Sequence, residues 1–166
     1  WDKLNWLNGQ VLHALPSQQL LGDLRPLWAE QGWALPDDSS WGLELCELLG
    51  PSLTLLKDGV EQATPFFKRP DLEDDGLRQL ETDGARTAVA QLLQILEAES
   101  WDGKDTDRAK QLLADAAKGA GVKKGVVMKS LRAALLGRLQ GPDLITTWCL
   151  LARIGEDLPR LQRCLV

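Results

Sequence analysis

Residues 118–144 read KGAGVKKGVVMKSLRAALLGRLQGPDL. Apolar side chains recur at Met128, Leu131 and Leu135, three and four apart, which is the spacing of one helical face and not of a strand. Glycines at 119, 121 and 125 set a loop before this helix, Gly137 supplies a stop after it, and Pro142 opens the next. The spacing predicts a helix over Val126–Leu136 with its Met128–Leu131–Leu135 face in a core. The same stretch carries six basic residues, Lys118, Lys123, Lys124, Lys129, Arg132 and Arg138, and no acidic residue between Gly119 and Pro142. Lys129 and Arg132, three apart, share a side of the helix. Lys123 and Lys124 stand near its N-terminus, where the helix dipole adds positive potential. The expected result is an electropositive strip. A solvated helical face is its plain reading, and a contact with RNA or another polyanion is its functional one.

Outward from this stretch the chain changes sign. Its net charge is −5, from 19 Lys and Arg against 24 Asp and Glu. Residues 1–100 hold 7 basic and 17 acidic side chains, while residues 101–166 hold 12 and 7. A basic patch on an acidic protein points to a polyanionic partner met at one site. No apolar run approaches the ~20 residues that span a bilayer, and no basic start followed by an apolar stretch suggests a signal peptide. Cys46, Cys149 and Cys164 are odd in number and far apart, and His13 is the only histidine. That set argues against a zinc site and fits reduced thiols in the cytoplasm. The chain opens at Trp1-Asp2-Lys3 without an initiator Met and reads as a piece of something larger.

Helical spacing runs through nearly the whole sequence, so the expected fold is all-α. A first helix is expected over Asp2–Ala14. A second follows Ser17 as its cap, buries Leu20, Leu21, Leu24, Leu27 and Trp28, bends at Pro26 and ends at Gly32. A third starts near Ser39-Ser40, buries Leu43, Leu45, Cys46 and Leu49, and stops at Gly50-Pro51. Ser52 is expected to cap a fourth, with Leu53, Leu56, Val60 and Ala63 inward. The polar run from Lys68 to Gly76 reads as a linker. It divides the chain into a first helical subdomain, residues 1–73, and a second, residues 74–166. In the second, Leu77–Leu80 is expected as a short turn. A helix opening at Asp83 buries Ala85, Ala88, Val89, Leu92, Leu93 and Leu96. The next is capped by Asp105 or Thr106 and buries Ala109, Leu112, Leu113 and Ala116. Helices over Pro142–Ile154 and Gly155–Leu165 complete the chain.

Catalysis leaves little trace. There is no nucleophile elbow, no Ser–His–Asp arrangement and no Gly-rich phosphate loop after a strand. A lone His13 without a partner is more often solvated than a general base. Glu73-Asp74-Asp75 reads as solvated linker before it reads as a cation site. Seven tryptophans and no tyrosine stand out. Trp6, Trp28, Trp41 and Trp148 fall on expected inner faces. Trp33 and Trp101, at helix ends or in loops, and Phe66-Phe67 beside Lys68-Arg69 are candidates for base stacking, with packing as the default.

At two places the sequence resembles bacterial glutamyl-tRNA synthetases. The opening, Lys3-Leu4-Asn5-Trp6-Leu7-Asn8-Gly9-Gln10, is similar to the helix that follows their catalytic core. Residues Gly121–Gly125, Leu131–Gly137, Gly141-Pro142-Asp143-Leu144 and Leu151–Gly155 resemble their C-terminal anticodon-binding lobe. The two signatures stand in the family's order and at about its spacing, and they cover nearly the whole chain. The resemblance implies a two-lobed helical bundle, the α-helix cage that grips the anticodon loop of the glutamate tRNA. It implies a class I, ATP-dependent ligase in which ATP and Mg belong to a catalytic domain N-terminal to Trp1. This chain would then hold no cofactor and catalyse nothing alone.

By the same resemblance Arg132 matches the arginine used at the anticodon, and Pro142 and Leu144 match loop positions that contact its first two bases. Gly141 stands where some members carry a polar side chain. Lys123, Lys124, Lys129 and Arg138 would meet phosphates. Members that accept only the glutamate tRNA place an arginine against the third anticodon base. The matching segment here, Leu49-Gly50-Pro51-Ser52-Leu53, has none, and the nearest basic residue is Lys57. The expectation is an enzyme that also accepts the glutamine tRNA. The competing expectation, from helix content and charge alone, is a helical protein–protein scaffold.

Overall fold

The computed structural model describes residues 9–165, and every regular element among them is helical. The expectations that fall on Asp2–Asn8, Trp6 included, lie outside the described residues. The chain forms two compact units, one ending at Lys68 and one starting at Arg69.

In the first unit residues 9–14 are helical (α1), followed by α2 (Ser17–Glu30), α3 (Ser39–Leu49), a 3-10 turn at Gly50–Ser52 and α4 (Asp58–Phe67). Leu20, Leu21, Leu24 and Trp28 of α2 are buried with Trp41, Leu45, Cys46 and Leu49 of α3 and Ala63 and Phe66 of α4. A Cβ on Gly59 would lie 2.5 Å from Leu24 Cδ2, so glycine lets α4 come close to α2. There Trp28 Nε1 donates to Gly59 O at 3.1 Å. The start of α4 differs from expectation. Ser52 does not cap it; its hydroxyl is spent on Leu49 O at 2.8 Å and on Gln62 Oε1. The Asp58 carboxylate instead turns back to accept the Thr54 and Leu55 N–H groups, so the chain between is a turn. His13 Nε2 donates to Leu53 O at 3.0 Å, a structural tie to this turn. A carbonyl can only accept, so that nitrogen carries the proton.

The second unit contains α5 (Asp74–Glu81), α6 (Ala85–Glu99), α7 (Thr106–Ala120), α8 (Lys124–Leu136), α9 (Leu144–Arg153), α10 (Asp157–Gln162) and a closing 3-10 turn at Arg163–Leu165. Helices α6, α7 and α8 pack on one another, α5 lies along α8, α9 lies against α7, and α10 lies against α6 and α8. Asp105 and Asp143 cap α7 and α9 through the N–H groups of Arg108 and Thr146, which satisfies donors that a helix start leaves without partners. Gly137 ends α8 at φ +77°.

The expected linker belongs to this unit. Arg163 Nη1 donates to Pro70 O at 2.6 Å, Glu73 N–H donates to Gly137 O at 2.7 Å, and Leu139 N–H donates to Asp75 Oδ2 at 3.2 Å. Residues 70–75 therefore belong with the second unit, and the break comes after Lys68 rather than after Glu73. Asp74 and Asp75 open α5, which is longer than the turn expected at Leu77–Leu80.

Candidate nucleic-acid interface

Helix α8 carries most of the basic strip. Lys123 is its N-cap and Lys124 its first residue, and no acidic side chain lies in the first turn. Two lysines at a helix N-terminus meet the positive end of its dipole, a cost of about 0.3–1 kcal/mol each that a bound anion relieves. Lys118, Lys123, Lys124 and Lys129 are all exposed. Lys124, Met128 and Arg132 follow one another at fours, so they form a row along one side.

Met128 corrects the sequence reading. It is 36% exposed rather than in the core. The buried face is centred on Val127, Ser130, Leu131 and Ala134, and Met128 lies about one 100° step away from it. An apolar, polarisable side chain thus stands between two cationic ones. Periodicity did not choose between the two faces, since Val127, Leu131 and Ala134 span the same arc of about 60° as Met128, Leu131 and Leu135.

At the other end of α8, Arg132 Nη1 donates to Pro142 O at 2.7 Å. Burial pulls the Arg132 pKa below the ordinary guanidinium value, and the nearby Asp143 works against that shift. Asp143 itself is committed to α9, accepting from Thr146 N–H at 3.0 Å and Thr146 Oγ1 at 2.9 Å. Gly141 fills the gap beneath. A Cβ there would lie 2.6 Å from Leu136 Cδ1 and 3.2 Å from Arg132 Nη1. Arg132, Gly141, Pro142 and the start of α9 therefore form one corner.

Leu144 belongs to this corner only by its backbone. Its side chain is 4% exposed, so any outward contact comes from the N–H at the first position of α9, which has no intrahelical partner. Arg138 follows in the loop, exposed, with Glu73 at 4.0 Å.

Not every basic residue of the second unit is available. Arg160 is fully buried, donating to Leu135 O at 2.8 Å and Glu156 Oε1 at 3.2 Å. Arg163 reaches the carbonyls of Pro70 and Ala134, and Arg108 pairs with Glu99. The charge excess read from the sequence counts these structural arginines with the exposed lysines.

In the first unit, Gly50 is buried while Pro51 and Ser52 are exposed. Gln62 of α4 holds both ends of Ser52, accepting from its hydroxyl and donating to its carbonyl at 3.4 Å. Gln62 is a polar neighbour that sequence reasoning missed, because it stands ten residues away. Lys57 is the exposed N-cap of α4, and Arg69 pairs with Glu156 at 2.9 Å.

The stacking candidates have partners. Trp33 lies on Phe67 with ring centroids 5.0 Å apart and planes 7° from parallel, and Phe67 also meets Trp28 and Trp41. Phe66 is buried. Trp101 packs on Trp148 at 5.2 Å. Among the described residues no cluster of His, Cys, Asp or Glu is placed to hold a metal ion, and no helix is long and apolar enough to cross a membrane.

The family model for the anticodon binding domain matches residues 19–165. A glutamate–tRNA ligase of Parasynechococcus marenigrum (strain WH8102) is 95% identical over 165 residues, which is 99% of this chain and 35% of that protein. Glutamate–tRNA ligases of Synechococcus sp. (strain CC9605) and Prochlorococcus marinus (strain MIT 9313) are 72% and 68% identical over the same share of this chain. The chain thus spans about a third of the length of the curated relatives it matches. A solved glutamate tRNA ligase from Elizabethkingia meningosepticum superposes with a TM-score of 0.83 at 24% identity, over 97% of this chain and 31% of that one. One from Elizabethkingia anophelis gives 0.77 at 25%, over 97% and 30%.

Proposed function

We propose that this chain, which belongs to the anticodon binding domain family, is the anticodon-binding region of a cytoplasmic glutamate–tRNA ligase. ATP, Mg and the joining of glutamate to tRNA are assigned to a catalytic domain preceding Trp1 in the full-length enzyme. The chain's own work is to hold tRNA. The observation that carries this reading is the corner at Arg132. One guanidinium N–H is fixed on Pro142 O, and the remaining donors have no ion-pair partner among the described residues. A planar fork fixed at one end presents its other donors in a set direction, which suits a base edge. Lys123, Lys124, Lys129 and Arg138 supply sequence-independent attraction to phosphates.

The full-length enzyme accepts the glutamine tRNA together with the glutamate tRNA. These differ at the third anticodon base, C against G. Rejecting one requires donors that match a single base edge and leave the other unpaired. Gly50, Pro51 and Ser52 offer backbone and one hydroxyl already engaged with Leu49 and Gln62. The Gln62 amide carries both a donor and an acceptor, so it does not exclude either base. Arg69 is held by Glu156.

Two measurements test this. The chain titrated with glutamate tRNA at several salt concentrations should bind with a log–log slope on the order of −3 to −4, from four phosphate contacts, and a flat response would sink the RNA reading. The full-length enzyme should charge both tRNAs with glutamate. A preference for the glutamate tRNA above about 100-fold would overturn the reading from Gly50–Ser52 alone.

A further inference from the structure

Seven residues, Gly137–Asp143, join α8 to α9, and the corner at Arg132 depends on the shape they take. Ahead of Asp143, which caps α9, four hydrogen bonds restrain the segment among the described residues. Gly137 N–H donates to Ala133 O at 2.8 Å, and Glu73 N–H donates to Gly137 O at 2.7 Å. Both run between backbone groups. Arg132 holds the far end through Pro142 O. The fourth bond is the Leu139 N–H donating to Asp75 Oδ2 at 3.2 Å, across 64 residues of sequence. It is the one side-chain restraint among these four on the first half of the loop. Gln140 and Gly141, exposed, lie between the two side-chain anchors.

Asp75 is itself placed rigidly. A Cβ on the adjacent Gly76 would stand 2.3 Å from Gly137 O, and one on Gly137 would stand 2.0 Å from Asp71 O. The two backbones touch where only glycine allows it, so the start of α5 cannot drift from the end of α8. A loop ordered before binding loses less entropy when RNA arrives.

We infer that Asp75 is a positioning residue for anticodon recognition: by holding the Leu139 amide it shapes the loop that presents Arg132 and Pro142 to the bases. This rests on the proposed function, and it assigns a role to a segment that the sequence presents as an acidic linker.

The test uses the 166-residue chain with two tRNA transcripts, one with the glutamate anticodon and one with its first two bases replaced. The quantity read is the ratio of the two affinities. Asp75→Ala should lower that ratio by about five- to tenfold, less than the full worth of one hydrogen bond to a charged group, because the bond acts on the loop and not on the RNA. It should leave the salt slope unchanged, because no phosphate contact is removed. Asp75→Asn keeps an acceptor oxygen and should restore the ratio to within about twofold, even though losing a negative charge strengthens binding to both RNAs alike. The double variant Asp75→Ala with Arg132→Ala should show no lower ratio than Arg132→Ala alone, since both act through one corner. Hydrogen exchange at the Leu139 amide should quicken about tenfold in Asp75→Ala and not in Asp75→Asn. If circular dichroism shows Asp75→Ala unfolded, Asp75→Glu, with its carboxylate one methylene too far, should lower the ratio in its place. An unchanged ratio in Asp75→Ala, or failure of Asp75→Asn to rescue it, overturns the inference while the proposed function stands. A parent chain that binds both RNAs equally overturns the proposed function, and this inference with it.

Discussion

Arg132 on α8 and Arg160 on α10 have much in common. Burial pulls both guanidinium pKa values down, that of Arg160 to about 10. Both donate to a main-chain carbonyl, at 2.7 Å and 2.8 Å. What surrounds them differs. Arg160 has no exposed surface and is held by Glu156. Arg132 remains half exposed, and its nearest carboxylate, Asp143, is occupied in capping α9. One arginine is consumed by the fold, and the other is braced by the fold with donors to spare. A charge count weighs them equally, whereas the distribution of acceptors around each separates a structural tie from a recognition element.

Breaking the α10 side should have the largest effect. Arg160→Ala leaves Leu135 O without its donor, leaves Glu156 with Arg69 alone and empties a fully buried site, at a cost of about 3–5 kcal/mol of stability. Thermal or denaturant unfolding reads this. The fraction that stays folded should keep the parent's preference between tRNA anticodons. Breaking the α8 side should do the reverse. Arg132→Ala should cost about 1–3 kcal/mol in binding, and only on the tRNA with the matching anticodon, whereas Lys123→Ala or Lys124→Ala should weaken binding to all tRNAs alike. Equal losses on matched and swapped anticodons would show Arg132 to be a second Arg160.

The smallest effect sharpens the comparison through pH. Burial alone would raise the Glu156 pKa, but its hydrogen bond from Arg69 and the charge of Arg160 bring it below the usual value. A lowered folded-state value means stability present above the unfolded pKa and lost as pH falls through the folded one. Asp157, next in sequence, is shifted upward by burial, so its folded state takes up a proton first and gains stability on acidification. The two offset each other below about pH 4.5. Glu156→Gln removes the loss and leaves the gain. Relative to its own stability at pH 7, that variant should resist acid better than the parent in melts between about pH 3 and 5. A steeper acid loss in the variant would show that Glu156 does not carry the linkage.

Much of the fold was legible because helix periodicity is local. The buried faces at Leu20–Trp28, Ala85–Leu96 and Ala109–Ala116, and the caps at Asp105 and Gly137, depend on neighbours within a few residues. The site was less legible. Lys123, Lys124, Lys129 and Arg132 stood out by charge, but the bond from Arg132 to Pro142 O did not. The burial of Leu144 was not legible either, because its position at the start of a helix says nothing about which way that helix faces. Ser52 looked like a cap, but only the folded first unit shows its hydroxyl taken by Leu49 and Gln62.

The sequence by itself determined that this chain is helical, where most helices run, and which stretch is electropositive, since these follow from spacing and composition along the chain. Only the tertiary structure decided that Met128 lies outside the core, that residues 70–75 clamp the loop after α8, and which arginines are spent inside. Each of those depends on groups that meet across tens of residues. A hydrogen bond or a close glycine contact at that separation leaves no periodic trace in the sequence.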